Sequence, residues 1–160
     1  MSQTQNQYVF QYPWETVIKG FWSKYPSQEM NFVKFNNVID MQLLPNQDIS
    51  FKRLMYTKFQ KFIWAYSVEE IIIKFDEKVM EMKTELIQKS SLFPPLGAGA
   101  ELIKYQAFDG FQTLYEKSIK NQESTQFLKK YMDKFSDSFK KGCQIVEDRC
   151  VQNLQQENKK

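Results

Sequence analysis

Between Glu123 and Leu154 the apolar side chains recur at steps of three or four: Leu128, Tyr131, Phe135, Phe139, Gly142, Val146, Cys150 and Leu154. That spacing lines them along one face of an α-helix. Lys129, Lys130, Asp133, Asp137, Lys140, Glu147, Asp148 and Arg149 occupy the other face, so the predicted helix is amphipathic. Ser124 or Thr125 is placed to cap it, and no proline interrupts it for about nine turns, roughly 48 Å. Its aromatic stripe needs a partner surface, and the candidates lie upstream.

Upstream, Tyr8 to Gln11 reads as a short strand. Trp14, Val17, Ile18, Phe21 and Trp22 then follow at helical spacing between Pro13 and Tyr25-Pro26, which predicts a short helix over Trp14 to Lys24. From Asn31 the period becomes two, with Val33, Phe35, Ile39, Met41 and Leu43 on one side and Lys34, Asn36, Asp40 and Gln42 on the other. Pro45 to Asp48 make a turn, and Ile49, Phe51, Met55 and Phe59 resume the alternation, which predicts a β-hairpin with one apolar face. Arg53 falls on that apolar face between Phe51 and Met55. A guanidinium there requires an internal carboxylate, a place at the sheet edge, or an anionic ligand.

The segment from Val68 to Gln88 is ambiguous. Val68, Ile71, Ile72, Phe75, Val79, Met82 and Leu86 fit a helix, whereas the β-branched run at Ile71 to Ile73 and the Asp76-Glu77 pair fit two strands; periodicity favours the helix. SSLFPPLGAGA, Ser90 to Ala100, reads as a loop, and it lacks the lysine and spacing of a phosphate-binding loop. Leu102 to Phe108 and Phe111 to Ile119 flank Asp109-Gly110, a type I′ hairpin signal. The order strand, helix, several antiparallel strands, long helix implies an α+β fold in which a curved antiparallel sheet wraps the terminal helix.

Composition narrows the chemistry. With 160 residues the chain is expected to form one domain with a single core, residues 1–160, bearing polar tails at 1–7 and 155–160. Tails of that kind are ordinarily disordered unless something holds them. Aromatic residues make up 16% of the chain, enough to fill a core or to line an apolar cavity. The net charge of +3 is spread along the sequence and gives no case for nucleic acid, while an anionic membrane surface stays compatible with it. No apolar run approaches the ~20 residues of a membrane-spanning helix. Histidine is absent, which removes the commonest general base and metal ligand, and no carboxylate pair, activated nucleophile or metal cluster is legible. The expectation is a non-enzyme without catalytic residues, metal or cofactor. Cys143 and Cys150 lie about 10 Å apart along the helix, too far to bridge, and read as small packed residues. The polar start, whose first cation is Lys19, resembles neither a signal peptide nor a transit peptide.

Several of these stretches resemble a known family. Trp14 followed by Phe21-Trp22-Ser-Lys-Tyr25-Pro26, then Pro45-Asn-Gln-Asp, Lys52-Arg53-Leu54-Met55 and Trp64, is similar to the opening of the PRELI/MSF1 family of mitochondrial phospholipid-transfer proteins. The resemblance covers residues 8 to 66 best, is looser from 68 to 120, and thereafter is one of pattern. It implies about seven strands around the terminal helix, with Val68 to Gln88 as two of them, a lipid-sized cavity and a lid loop. It further implies location in the mitochondrial intermembrane space, peripheral to the inner membrane, and a small helical partner with twin-cysteine motifs.

By that resemblance Arg53, Lys58, Lys134 and Lys141 are the expected lipid-headgroup residues. The expected cavity lining is Phe35, Phe51, Met55, Trp64, Phe135 and Phe139. An anionic phospholipid is the expected ligand, met through charge-assisted hydrogen bonds. The chain departs from the family in having Thr57 four residues after Arg53, where a lysine is usual, with Lys58 on the opposite strand face. The lid region after Trp64 is also short. These departures support a second expectation: a structural subunit of a large inner-membrane complex, of the respiratory-chain or ATP-synthase kind, that keeps the fold without lipid transfer.

Overall fold

The computed structural model describes the backbone of residues 2–25, 28, 30–92, 101–121 and 126–159, and the side chains of all of these except 2–4, 119–121 and 126–138. Strand β1, Ser2–Phe10, leads to helix α1, Trp14–Trp22, whose backbone turns begin after Pro13. Six more strands follow: β2 Val33–Leu43, β3 Ile49–Gln60, β4 Ile63–Lys74, β5 Val79–Lys89, β6 Glu101–Asp109 and β7 Gln112–Asn121. Helix α2, Gln126–Glu157, closes the chain. The strands form one curved antiparallel sheet in the order β1-β7-β6-β5-β4-β3-β2, as the predicted fold class requires.

The concave face carries the core. Phe10, Ile71, Ile73, Met80, Met82, Ile103, Tyr105 and Tyr115 from the strands meet Val17 and Phe21 of α1 and Phe139, Cys143, Val146 and Cys150 of α2 in one buried cluster. Of the stripe residues read from the helical spacing, Phe139, Gly142, Val146 and Cys150 are buried against it, while the side chains of Leu128, Tyr131 and Phe135 lie outside the described residues. Leu154, the last of the stripe, is 37% exposed. The two cysteines are free and buried, and burial pushes both thiols up to about 12, so they pack as small apolar groups.

Several elements differ from the sequence-based expectation. Val68 to Gln88, which periodicity alone reads as a helix and the family resemblance as two strands, lies in β4 and β5, joined by a turn in which Lys78 takes φ 52°. The helical spacing there arose from two faces read as one, since Ile71 and Ile73 point to the core while Val68 and Ile72 point outward across the same strand. The start of the chain is not a free tail, because Ser2 to Gln7 pair with Asn121 to Glu116 of β7. At the β6–β7 turn Gly110 does not adopt a positive φ, so the turn is not type I′; the Asp109 carboxylate instead accepts from the Phe111 N–H at 2.7 Å. Of the stretch Ser90 to Ala100, residues 93–100 lie outside the described residues.

In β2 two bulges, between Val33 and Phe35 and between Val38 and Asp40, shift the register. Val33, Asn36, Val38, Met41 and Leu43 consequently share the inner side, and Phe35 is carried to the outer one.

The two helices fix one another at Gly20. A Cβ there would lie 2.9 Å from Cys150 Sγ and 2.9 Å from the Val146 carbonyl oxygen. The carbonyl belongs to the α2 backbone, so relief requires the helices to separate. Gly20→Ala is therefore expected to destabilise the fold by about 1–3 kcal/mol. Urea unfolding followed by tryptophan fluorescence checks this, and an unchanged midpoint would contradict the packing described.

Candidate functional site

Alternation along β3 directs Phe51, Arg53, Met55 and Thr57 to the concave side, where β4 places Glu69 directly opposite Arg53. The two form an ion pair at 3.1 Å, with side chains 6% and 5% exposed. The Asn36 amide donates to the same carboxylate at 2.9 Å. The guanidinium lies 4.9 Å from the Phe21 ring centroid and 5.0 Å from that of Trp22, and one of its NH2 groups contacts Met82 Sδ at 3.8 Å. Helix α1 thus supplies an aromatic wall that holds the cation by its faces. Arg53 Nε and Asn36 Oδ1 are buried and have no hydrogen-bond partner among the described residues.

A second cation follows α1 directly. Lys24 Nζ lies 5.2 Å from the Tyr25 ring centroid and presses against α2, where a Cβ on Gly142 would stand 3.2 Å from it. Glycine at 142 lets the helix pass over the ammonium. Among the described residues Lys24 makes no hydrogen bond or short ion pair. On β7 and β6, Lys117 and Glu101 also point inward and pair at 3.1 Å, with side chains 14% and 26% exposed. Among the described residues, the concave side beneath α2 therefore brings three cations, Lys24, Arg53 and Lys117, near two carboxylates, Glu69 and Glu101.

Burial sets the electrostatics. It raises the Glu69 carboxyl above its ordinary range, and the attraction of Arg53 and the Asn36 hydrogen bond offset only part of that. Burial likewise lowers the Lys24 ammonium, against the pull of Glu69 and Glu101. The phenols of Tyr25, Tyr105 and Tyr115 are raised by burial and stay protonated at neutral pH. Tyr105 and Tyr115 stack at 4.5 Å, and Phe139 continues the stack at 5.1 Å, which forms an apolar wall next to the charged group.

Of the residues expected at the site, Arg53, Phe51, Met55 and Phe139 face the interior. Lys58, Phe35 and Trp64 do not. Pairing of Lys58 with Trp64 and of Phe35 with Tyr56 sets all three on the outer face of the sheet, so they neither hold a headgroup inside nor line a cavity. Strand alternation forces this for Lys58 and Trp64, and the β2 bulge forces it for Phe35. Lys141 is exposed on the solvent side of α2. The side chains of Lys134 and Phe135 lie outside the described residues. Sequence reasoning missed Lys24, Glu69, Lys117 and Glu101; only reading 68 to 88 as strands would have set Glu69 across from Arg53.

A groove of about 460 Å³ runs over the outer face, lined in part by Glu70, Glu81, Lys83 and Lys104. Its alternating charges mark it as solvated sheet surface, on the other side of the sheet from Arg53 and Glu69.

No protein-family model matches the chain, and no curated relative is found by sequence. Solved structures do match in fold. Ara h 8.0201 superposes with a TM-score of 0.61 at 8% identity, over 94% of this chain and 98% of that one. The 18 kDa protein CC1736 from Caulobacter crescentus gives 0.59 at 10% identity, covering 99% of both chains. Norcoclaurine synthase from Thalictrum flavum, in complex with a transition-state analogue, gives 0.53 at 7% identity over 96% of each. The chain therefore has the Bet v1-like helix-grip fold.

The buried pair generates a prediction with a defined sign. Because the folded Glu69 carboxyl is raised, its charge costs nothing below its ordinary value of 4.5, and the cost grows as pH rises through and above that value. Arg53→Met removes the compensating cation and is expected to destabilise by about 3–5 kcal/mol at neutral pH, with a smaller loss near pH 5. Arg53→Met combined with Glu69→Met should recover most of it. Denaturant titrations at the two pH values check both; an equal loss at both would contradict an unpaired Glu69.

Proposed function

We propose that the protein binds an amphiphilic ligand between sheet and helix, an anionic phospholipid, with its charged group met by Arg53, Lys24 and Lys117. The observation that carries this reading is the Arg53 Nε–H, which is buried with no hydrogen-bond partner among the described residues while Nη2 of the same guanidinium is held by Glu69. An orphaned buried donor costs about 1–3 kcal/mol. An anionic oxygen would satisfy it and would also pair with the Lys24 ammonium, which makes no hydrogen bond or short ion pair among the described residues. Phe51 and Met55 flank Arg53 on the same strand face and offer apolar surface for acyl chains. The helix-grip fold is consistent with binding a hydrophobic ligand, and the reading is one of binding rather than catalysis.

The finer form of the proposal follows the PRELI/MSF1 resemblance: phospholipid transfer in the mitochondrial intermembrane space, at the inner membrane, with a small twin-cysteine helical partner. Buried Thr57 and outward Lys58 leave the headgroup to Arg53, Lys24 and Lys117 rather than to two cations on β3.

A second reading, a structural subunit of a larger inner-membrane complex, draws on edge strand β2. Val38, Met41 and Leu43 face the concave side there yet are 50%, 64% and 74% exposed. A neighbouring chain would cover them. Native-gel migration separates the two readings, since a small soluble pool favours the binder and a large complex favours the subunit.

Titration of delipidated protein with short-chain phosphatidic acid, phosphatidylglycerol and phosphatidylcholine tests the binding reading. Saturable binding of the anionic lipids alone is expected, weakened by about tenfold or more in Lys24→Gln, in line with loss of a charged hydrogen bond. No binding of any lipid would refute it.

A further inference from the structure

The two ends of the sheet differ in charge. Because all strands are antiparallel, the β3–β4 turn, the end of β5 and the start of β2 lie at one end, and the β2–β3, β4–β5 and β6–β7 turns lie at the other. At the first end, residues 31–34, 57–64 and 86–92 contain Lys34, Lys58, Lys61 and Lys89 and no Asp or Glu, and Glu101 at the start of β6 is paired with Lys117 at 3.1 Å. At the opposite end the turns carry Asp48, Asp76, Glu77 and Asp109, and their one lysine, Lys78, is paired with Glu15 at 3.0 Å.

The basic end is also the one with apolar side chains around its lysines. Phe59, Phe62, Ile87 and Leu92 are 52%, 63%, 60% and 63% exposed. Lys61 Nζ lies 5.5 Å over the Phe62 ring, and Phe59 stacks on Phe32 at 4.7 Å. The hairpin that bears the tip is stiffened on its outer face, where Tyr56 stacks on Tyr66 at 4.6 Å, with Phe35 and Trp64 against them. A stiff strand pair that ends in Lys-Phe-Gln-Lys-Phe, residues 58–62, presents rings and ammoniums together at one projecting edge.

We propose that this basic aromatic end, centred on the β3–β4 hairpin tip, docks the protein on an anionic phospholipid bilayer. Exposed rings at a protein tip suit the headgroup boundary, where their apolar bodies leave water, while lysines are drawn by the negative surface potential. The acidic turns set the opposite end away from such a surface, so the charge asymmetry also fixes orientation. The inference is independent of the ligand reading, since none of its residues lies in the interior cluster. It assigns Lys58 a role on the outside of the sheet.

Sedimentation of the full chain with phosphatidylcholine vesicles, with and without phosphatidylserine, tests it. Binding is expected only with phosphatidylserine and should fall as salt is raised. Lys58→Gln combined with Lys61→Gln should weaken it by about 25-fold, from roughly fivefold per lysine. Phe62→Ser should weaken it further, whereas Phe111→Ser at the acidic end should leave it unchanged. Arg53→Met with Glu69→Met should also leave it unchanged, which separates docking from ligand binding. These tip positions are surface ones, and circular dichroism verifies that the variants fold. Retained binding by the double-lysine variant would overturn the proposal. So would equal loss in Phe111→Ser, or a tip that binds single-stranded RNA or a second copy of the chain in place of vesicles.

Discussion

The ion pair between Arg53 and Glu69 is the constraint around which the concave side is arranged. Taking two charges out of water costs several kcal/mol per ion, and their mutual attraction recovers that only when the geometry is tight and the remaining polar atoms are satisfied. Here the pairing is direct at 3.1 Å, Asn36 adds a hydrogen bond to the carboxylate, and Phe21 and Trp22 cover the guanidinium. These partners come from three further elements, β4, β2 and α1, so all of them must be placed correctly against β3 for the pair to form. A pair of well-packed apolar residues would hold the same volume at lower cost. The arrangement makes physical sense if the polar atoms it leaves open serve a ligand.

Beneath α2 the interior divides into a dry part and a charged part. Towards the C-terminal half of the helix, Val146 and Cys150 close on Gly20, and Tyr105, Tyr115 and Phe139 stack behind them. Next to this wall stand Lys24, Arg53 and Lys117 with their two carboxylates. The dry part supplies cohesion, and it holds the charged part in place without sharing its cost. Gly142 has a matching role to that of Gly20: one lets helix meet helix, the other lets α2 pass over the Lys24 ammonium. Surface charge then repeats the division along the sheet, with lysines gathered at one end and carboxylates at the other.

The broad architecture was legible because it rests on patterns that physics enforces locally. The α2 stripe, the Trp14 to Trp22 helix and the first hairpin each bury one face, and period alone identifies them. Arg53 stood out for the same reason, as a cation on a face that alternation assigns to the interior. What the sequence hid depends on register. Two bulges in β2 turn Phe35 outward, and no local signal marks them. Glu69 is visible as Arg53's partner only when 68 to 88 is read as two strands, and Lys24 becomes interior only when α2 lies over it. Alternation itself sets Lys58 and Trp64 apart from the site: Lys58 is an odd step from Arg53 on β3, and Trp64 is an odd step from Glu69 on β4.

The central claim is that the Arg53 side chain keeps a donor open for an anionic group. Nitrogen-detected NMR of the arginine Nε–H groups reads that donor directly. Addition of short-chain phosphatidic acid should shift the Arg53 Nε–H resonance and slow its exchange with water, while the Arg149 signal stays put. An Arg53 resonance that is unmoved at saturating lipid, or that already exchanges slowly in the lipid-free protein because a neighbouring group occupies it, would contradict the account.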